Sequence, residues 1–155
     1  MTNSSGRESP LNAKKIKEIM TKDCATVTLK DNVYEVAVKM KQEDTGFIPV
    51  VDGKKLIGVI TDRDLVIRGF AAKKEGSTAV AEVMSSNQIT SATPETTVDE
   101  AAKLMASQQI RRLPVVENGE LVGIVSIGDL AVRSNFEDEA GEALSEISEK
   151  DKVTV

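Results

Sequence analysis

The sequence predicts an α/β protein, of the α+β kind, assembled from one β-α-β-β-α unit used twice. Three observations carry that expectation. Laid over itself at an offset of 65, residues 33–65 match residues 98–130 at 11 of 33 positions without a gap, which only a tandem duplication explains economically. In each copy an apolar stripe at helical spacing is followed by two short runs rich in Val, Ile and Leu. Polar turns separate those two runs, so they read as hairpins rather than as one long strand.

Taken in order, residues 1–12 are rich in Ser and Asn and read as a disordered tail. Repeat one spans 13–72 and begins with a short strand, ATVT at 25–28. Asn32 with Glu35 three residues on is a capping box, and Val33, Val36, Ala37 and Met40 behind it fall on one face of a helix. FIPVVD and KLIGVIT follow as strands joined at Asp52-Gly53-Lys54, and DRDLVIRGFAA is the second helix. Residues 73–78 form a polar linker. Repeat two, 79–134, repeats the scheme with a strand ITSA at 89–92 and a capping box of Thr97 and Glu100. Its helical stripe is Val98, Ala101, Ala102 and Met105. LPVVEN and ELVGIVS form its hairpin across Glu117-Asn118-Gly119, and IGDLAVR its second helix. Upstream, Ile19-Met20-Thr21 is similar to Val83-Met84-Ser85, now at an offset of 64. The end, 135–155, is an acidic tail, solvated or weakly helical along Ala140, Ala143, Leu144 and Ile147.

Composition narrows the function. With no His and a single Cys among 155 residues, neither a Ser-His or Cys-His nucleophile pair nor a transition-metal site is expected. The lone Cys24 rules out an internal disulfide and suits a reducing compartment. A net charge of −5 argues against nucleic acid or an anionic membrane as partner, though not against a small anion held by local positive charge. No run reaches the roughly 20 apolar residues of a membrane span, and no signal-peptide core is present. A soluble cytoplasmic protein without catalysis of its own is expected.

FIPVVDGKKLIGVITDRDL and RLPVVENGELVGIVSIGDL together resemble a pair of CBS domains, the Bateman module. The resemblance covers about residues 13–133 and leaves only the tails outside it, as in a stand-alone CBS-pair protein. It implies two repeats packed through their sheets with pseudo-twofold symmetry, and two clefts between them. Such clefts bind adenosine-containing ligands such as AMP, ADP, ATP, S-adenosylmethionine or cyclic di-AMP. It further implies a homodimer, a regulatory role toward a partner protein, and no obligatory cofactor beyond the adenosyl regulator.

The candidate site residues centre on the strand-to-helix junctions. Thr61 and Ser126 stand where a strand ends and a helix begins, where unpaired backbone N–H groups favour a phosphate. Asp64 and Asp129, three residues on, can accept from both hydroxyls of a ribose, because a carboxylate is a pure acceptor. The competing reading is a second capping box, for which Asp is a poorer fit than Glu or Gln. Arg63 can reach a phosphate or be solvated. Asp62 beside it would repel one, so the two clefts are not expected to be equivalent. Arg112, and with it Arg111, precedes the second Pro-Val strand where family members contact ligand phosphates; a surface ion pair is the alternative. By the same resemblance Cys24, Ala25 and Thr26, and Ile89, Thr90 and Ser91, line the base pocket. The rival function is an interaction module whose clefts are empty and whose surface or tail docks a partner.

Overall fold

The computed structural model describes residues 14–133, so the tails expected at 1–12 and 135–155 lie outside the described residues. Both capping boxes form. Asn32 Oδ1 accepts from the Glu35 N–H at 2.9 Å while Glu35 Oε1 accepts from the Asn32 N–H at 2.8 Å. Thr97 and Glu100 do the same at 3.1 and 2.9 Å. Behind them run α1 (Val33–Glu43) and α3 (Val98–Gln108), each ending on a residue in the left-handed region, Asp44 and Gln109.

Strands β1 (Phe47–Asp52) and β2 (Lys55–Thr61) form the first hairpin, and β3 (Arg112–Glu117) and β4 (Glu120–Ser126) the second. Gly53 turns the first at φ 63°, and Asn118 and Gly119 turn the second at 54° and 83°, the signature of a two-residue turn that matches strand twist. Each hairpin pairs its own two strands, and Lys55 of β2 pairs antiparallel with Glu120 within the first unit. The helix after β2 starts as α2 (Asp62–Asp64) and widens into a π-helical stretch, Leu65–Phe70, where the Ala71 N–H reaches the Val66 carbonyl at 2.7 Å. An α-helix was the expectation there. The β-branched Val66 and Ile67 and the helix-weakening Gly69 are the residues that mark the departure. In repeat two, α4 (Ile127–Arg133) remains α-helical.

Two expected strands shrink to single bridges. Val27 bridges Val50 and Ala92 bridges Val115, both parallel. The bridge N–H groups of Val27 and Ala92 donate to the carbonyls of Pro49 and Pro114 at 3.0 and 2.9 Å. A proline accepts but cannot donate, and the return bonds come from the N–H groups of Val51 and Val116.

The chain packs as two compact units, and they are not the consecutive repeats. One unit contains residues 23–89 with 118–121; the other contains, of the described residues, 14–22, 90–117 and 122–133. The core of the first holds Val27, Val36, Met40, Ile48, Val50 and Ile60 together with Val80 and Val83. The core of the second holds Val98, Ala101, Ala102, Met105, Leu113, Val115 and Leu130 together with Ile16 and Ile19. The opening segment of each repeat therefore completes the core of the other. Its backbone also satisfies an orphan helix donor: the Val33 N–H bonds Thr78 O at 2.9 Å, and the Val98 N–H bonds Lys14 O at 2.8 Å.

Candidate functional site

The motif glycines set the geometry first. A Cβ on Gly58 would stand 2.8 Å from Met84 Sδ and 3.1 Å from the Ser85 carbonyl oxygen. On Gly123 it would meet Met20 Sδ at 2.7 Å and the Thr21 carbonyl oxygen at 3.0 Å. Glycine at these strand positions lets the exchanged segment lie against the strand, where Val59 and Ile124 pair with Ser85 and Thr21. Two residues after Val59 and after Ile124, each strand ends at the hydroxyl residue of its junction.

At both junctions the capping box is fully formed. Thr61 Oγ1 accepts from the Asp64 N–H at 3.1 Å, and Asp64 Oδ2 accepts from the Thr61 N–H at 2.9 Å. Ser126 and Asp129 repeat this with both bonds at 3.0 Å. Aspartate reaches back as well as a longer acid would, which corrects the expectation that it fits a cap poorly. Thr61 has the extended backbone of an N-cap, φ −114° and ψ 165°, as Asn32 has at φ −118° and ψ 175°, and the carboxylate reaches the cap N–H in both cases.

Capping uses one oxygen of each carboxylate. The second oxygen differs between repeats. Asp64 Oδ1 lies 3.9 Å from Arg68 Nε, and Arg68 in turn donates through Nη1 to the Met84 carbonyl at 2.9 Å. Asp129 Oδ1 has no hydrogen bond or ion pair among the described residues. Both aspartates are half-buried, so an outside donor would find them partly shielded from water. Sequence reasoning missed Arg68; its spacing of four from Asp64 was the available signal.

The remaining candidates sort by unit. In the first, the parallel bridge at Val27 carries the half-buried Cys24, Ala25 and Thr26 back along β1 toward its start. There the Asp62 N–H donates to the Gly46 carbonyl at 2.9 Å, tying the junction to the residue before β1. Lys39 Nζ donates to the Thr26 carbonyl at 2.6 Å, a contact not foreseen. Burial pushes the Cys24 thiol pKa up, with the Asp23 charge adding to the rise, so the thiol is protonated and poorly nucleophilic. Arg63 is exposed, its N–H held by Asp62 Oδ1 at 2.8 Å.

In the second unit, the bridge at Ala92 likewise brings Thr90 and Ser91 alongside the start of β3. The Ile127 N–H donates to the Arg111 carbonyl at 3.0 Å, and the half-buried Arg112 opens β3. Thr90, Ser91, Arg111, Arg112, Ser126 and Asp129 thus belong to one edge of this unit. Ile89 falls in the other unit. Among the described residues no group of three or more His, Cys, Asp or Glu side chains could hold a metal.

The first unit also exposes apolar surface. Phe70 is 84% exposed, and Val66, Ile67 and Tyr34 are each more than half exposed. No helix of the described residues is long and apolar enough to cross a membrane.

Comparison with known proteins agrees with this architecture. The family profile described as CBS domain matches residues 16–68 and 80–134. The chain is similar to the uncharacterized protein YlbB of Bacillus subtilis (strain 168), with 50% identity over 139 residues, 88% of this chain and 93% of that protein. Among solved structures it is similar to a putative acetoin utilization protein (AcuB) from Vibrio cholerae, with TM-score 0.69 and 29% identity over 87% of this chain and 96% of that one. It is also similar to a hexameric CBS-CP12 protein from bloom-forming cyanobacteria, with TM-score 0.68 and 27% identity over 81% of this chain and 71% of that one.

Proposed function

This chain belongs to the CBS-domain family, two copies in tandem, and on that premise we propose that it is a regulatory module sensing an adenosine-containing ligand such as AMP, ADP or ATP. The observation that carries the reading is the half-buried carboxylate at each junction, held at the same place in both repeats by the backbone N–H of the hydroxyl residue that caps the helix. A carboxylate whose cap occupies one oxygen still offers lone pairs to a vicinal diol. In repeat two the second oxygen has no competing partner among the described residues. In the first unit Thr61 and Asp64 are the ribose end and Cys24–Thr26 the base end; in the second, Ser126 and Asp129 are the ribose end, Arg111 and Arg112 the phosphate end, and Thr90 and Ser91 the base end. Binding, not catalysis, is the activity, and its output is a change in a partner protein. The setting is cytoplasmic.

We further propose a homodimer formed through the exposed Val66, Ile67 and Phe70, since contiguous exposed apolar side chains mark association surfaces. That same surface favours the second reading, a docking module with empty sites. A thermal-shift panel of adenosine, AMP, ADP and ATP separates the two. A ligand at 100 times its dissociation constant adds about 2.7 kcal/mol. At roughly 2–4 °C per kcal/mol for a chain of this size, the melting point rises by about 8 °C. No movement with any of the four at millimolar concentration defeats sensing and leaves docking.

A further inference from the structure

The two junctions share a backbone frame and differ in what fills it. In each, the first helical N–H bonds the carbonyl of the residue before the Pro-Val strand: Asp62 to Gly46 at 2.9 Å, Ile127 to Arg111 at 3.0 Å. In repeat one the Asp62 carboxylate occupies the space where residue 46 would carry a side chain. A Cβ built on Gly46 would lie 2.6 Å from Asp62 Oδ2, 2.8 Å from Cγ and 3.1 Å from Oδ1. Gly46 thus makes room for a carboxylate beside the strand start, where repeat two presents Arg111 and Arg112.

The charge of the Asp62 carboxylate is not neutralised. Its Oδ1 accepts from the Arg63 N–H at 2.8 Å, and no ion pair to it exists among the described residues. Counting residues 46–47 with the junction 61–64, repeat one carries net −1; counting the matching residues 111–112 with the junction 126–129, repeat two carries net +1. A like charge at a binding surface acts chiefly against the wrong partner, rejecting it by several-fold to many-fold in affinity.

Resting on the adenosine reading above, we infer that Asp62, seated on Gly46, is a specificity determinant that excludes phosphate from repeat one. That repeat accepts an adenosyl ligand without phosphate, while repeat two accepts the phosphorylated one. Asp62 does not itself hold the ligand; it sets which ligand charge is admitted.

The test is isothermal titration calorimetry of the full chain with adenosine and with ADP. Asp129→Asn, which keeps the cap acceptor but spoils the diol contact of repeat two, isolates repeat one. In that variant adenosine is expected to bind at least about tenfold more tightly than ADP. Adding Asp62→Asn, which keeps the shape over Gly46 and removes the charge, should close that gap to about twofold while adenosine affinity stays put. Equal adenosine and ADP affinities in Asp129→Asn overturn the inference. So does a gap that survives Asp62→Asn, or an Asp129→Asn chain that binds nothing although the natural chain binds adenosine. If the natural chain binds neither probe, the adenosine reading itself has failed and the inference falls with it. Melting curves of both variants show whether a loss of binding comes from unfolding.

Discussion

Replacing Gly123 with alanine probes the contact on which the second unit is built. The new methyl would sit 2.7 Å from Met20 Sδ and 3.0 Å from the Thr21 carbonyl oxygen. The sulfur can rotate away, but the carbonyl belongs to a backbone bridge with bonds from the Thr21 N–H to Ile124 O at 2.8 Å and from the Ile124 N–H to Thr21 O at 2.9 Å. Relieving the overlap moves segment 14–22 outward and weakens both bonds, at about 1 kcal/mol each. It also loosens the fully buried Ile16 and the nearly buried Ile19 from the core, so an overpacking cost of roughly 1–3 kcal/mol applies. Against this, alanine restricts the unfolded chain and returns about 0.4–1 kcal/mol. The net expectation is a loss of about 2 kcal/mol, or roughly 6 °C in melting point. Gly128→Ala is the control: its Cβ would lie 3.7 Å from Ser126 Oγ, an ordinary contact on an exposed helix, so it should be neutral or gain up to about 1 kcal/mol. Urea denaturation supplies the stabilities, and hydrogen exchange at Thr21 and Ile124 locates the damage. If Gly123→Ala is as mild as Gly128→Ala, or leaves those two amides equally protected, the close approach is not what requires glycine there.

Asp129→Ala removes the bond from the Ser126 N–H and should cost about 1 kcal/mol without ligand, whereas Asp129→Asn should keep most of that stability; calorimetry must then show ADP binding reduced in both, and unchanged ADP binding would reduce this carboxylate to a cap. Phe70→Ser should shift the protein toward the monomer on sedimentation without lowering its melting point, because the ring is 84% exposed; a dimer of unchanged strength refutes that surface. The raised Cys24 pKa means that the native thiol keeps its proton beyond the unfolded one, so native stability falls as pH rises through the ordinary thiol range. Alkylation at pH 8 should accordingly be slower in the native chain than in urea, and equal rates would contradict the burial. The side-chain hydrogen bond with Lys17, more than its charge, lowers the Glu95 pKa, so the contribution of the pair is present above the ordinary glutamate range and fades as pH falls through the lowered value. Both groups are exposed, so a Glu95→Gln variant should differ from the parent in acid titrations at low salt and not in 1 M salt.

The site was readable in the sequence as far as its chemistry is local. A hydroxyl followed three residues later by an acid closes its own ring of hydrogen bonds, so the residues of both junctions were visible by spacing. What spacing left open was whether the aspartate reaches back, because that depends on the side-chain rotamer rather than on the sequence interval. The opposition of Asp62 and Gly46 was hidden for a different reason. They are 16 positions apart, and only the pairing of strand start with helix start puts a carboxylate where a side chain would be.

By itself the sequence determined the duplication, both first helices with their caps, both hairpins and the two junctions. Each of these is decided by residues a few positions apart, whose hydrogen bonds and stripes form with little help from the rest of the chain. Tertiary structure decided which opening segment completes which core. Ile16 and Ile19 resemble Val80 and Val83 closely enough that composition offers each pair two nearly equal homes. Which home is taken depends on where the chain can reach while its N–H groups bond Thr96, Ile124, Asp31 and Val59, a constraint between residues far apart that no local pattern records.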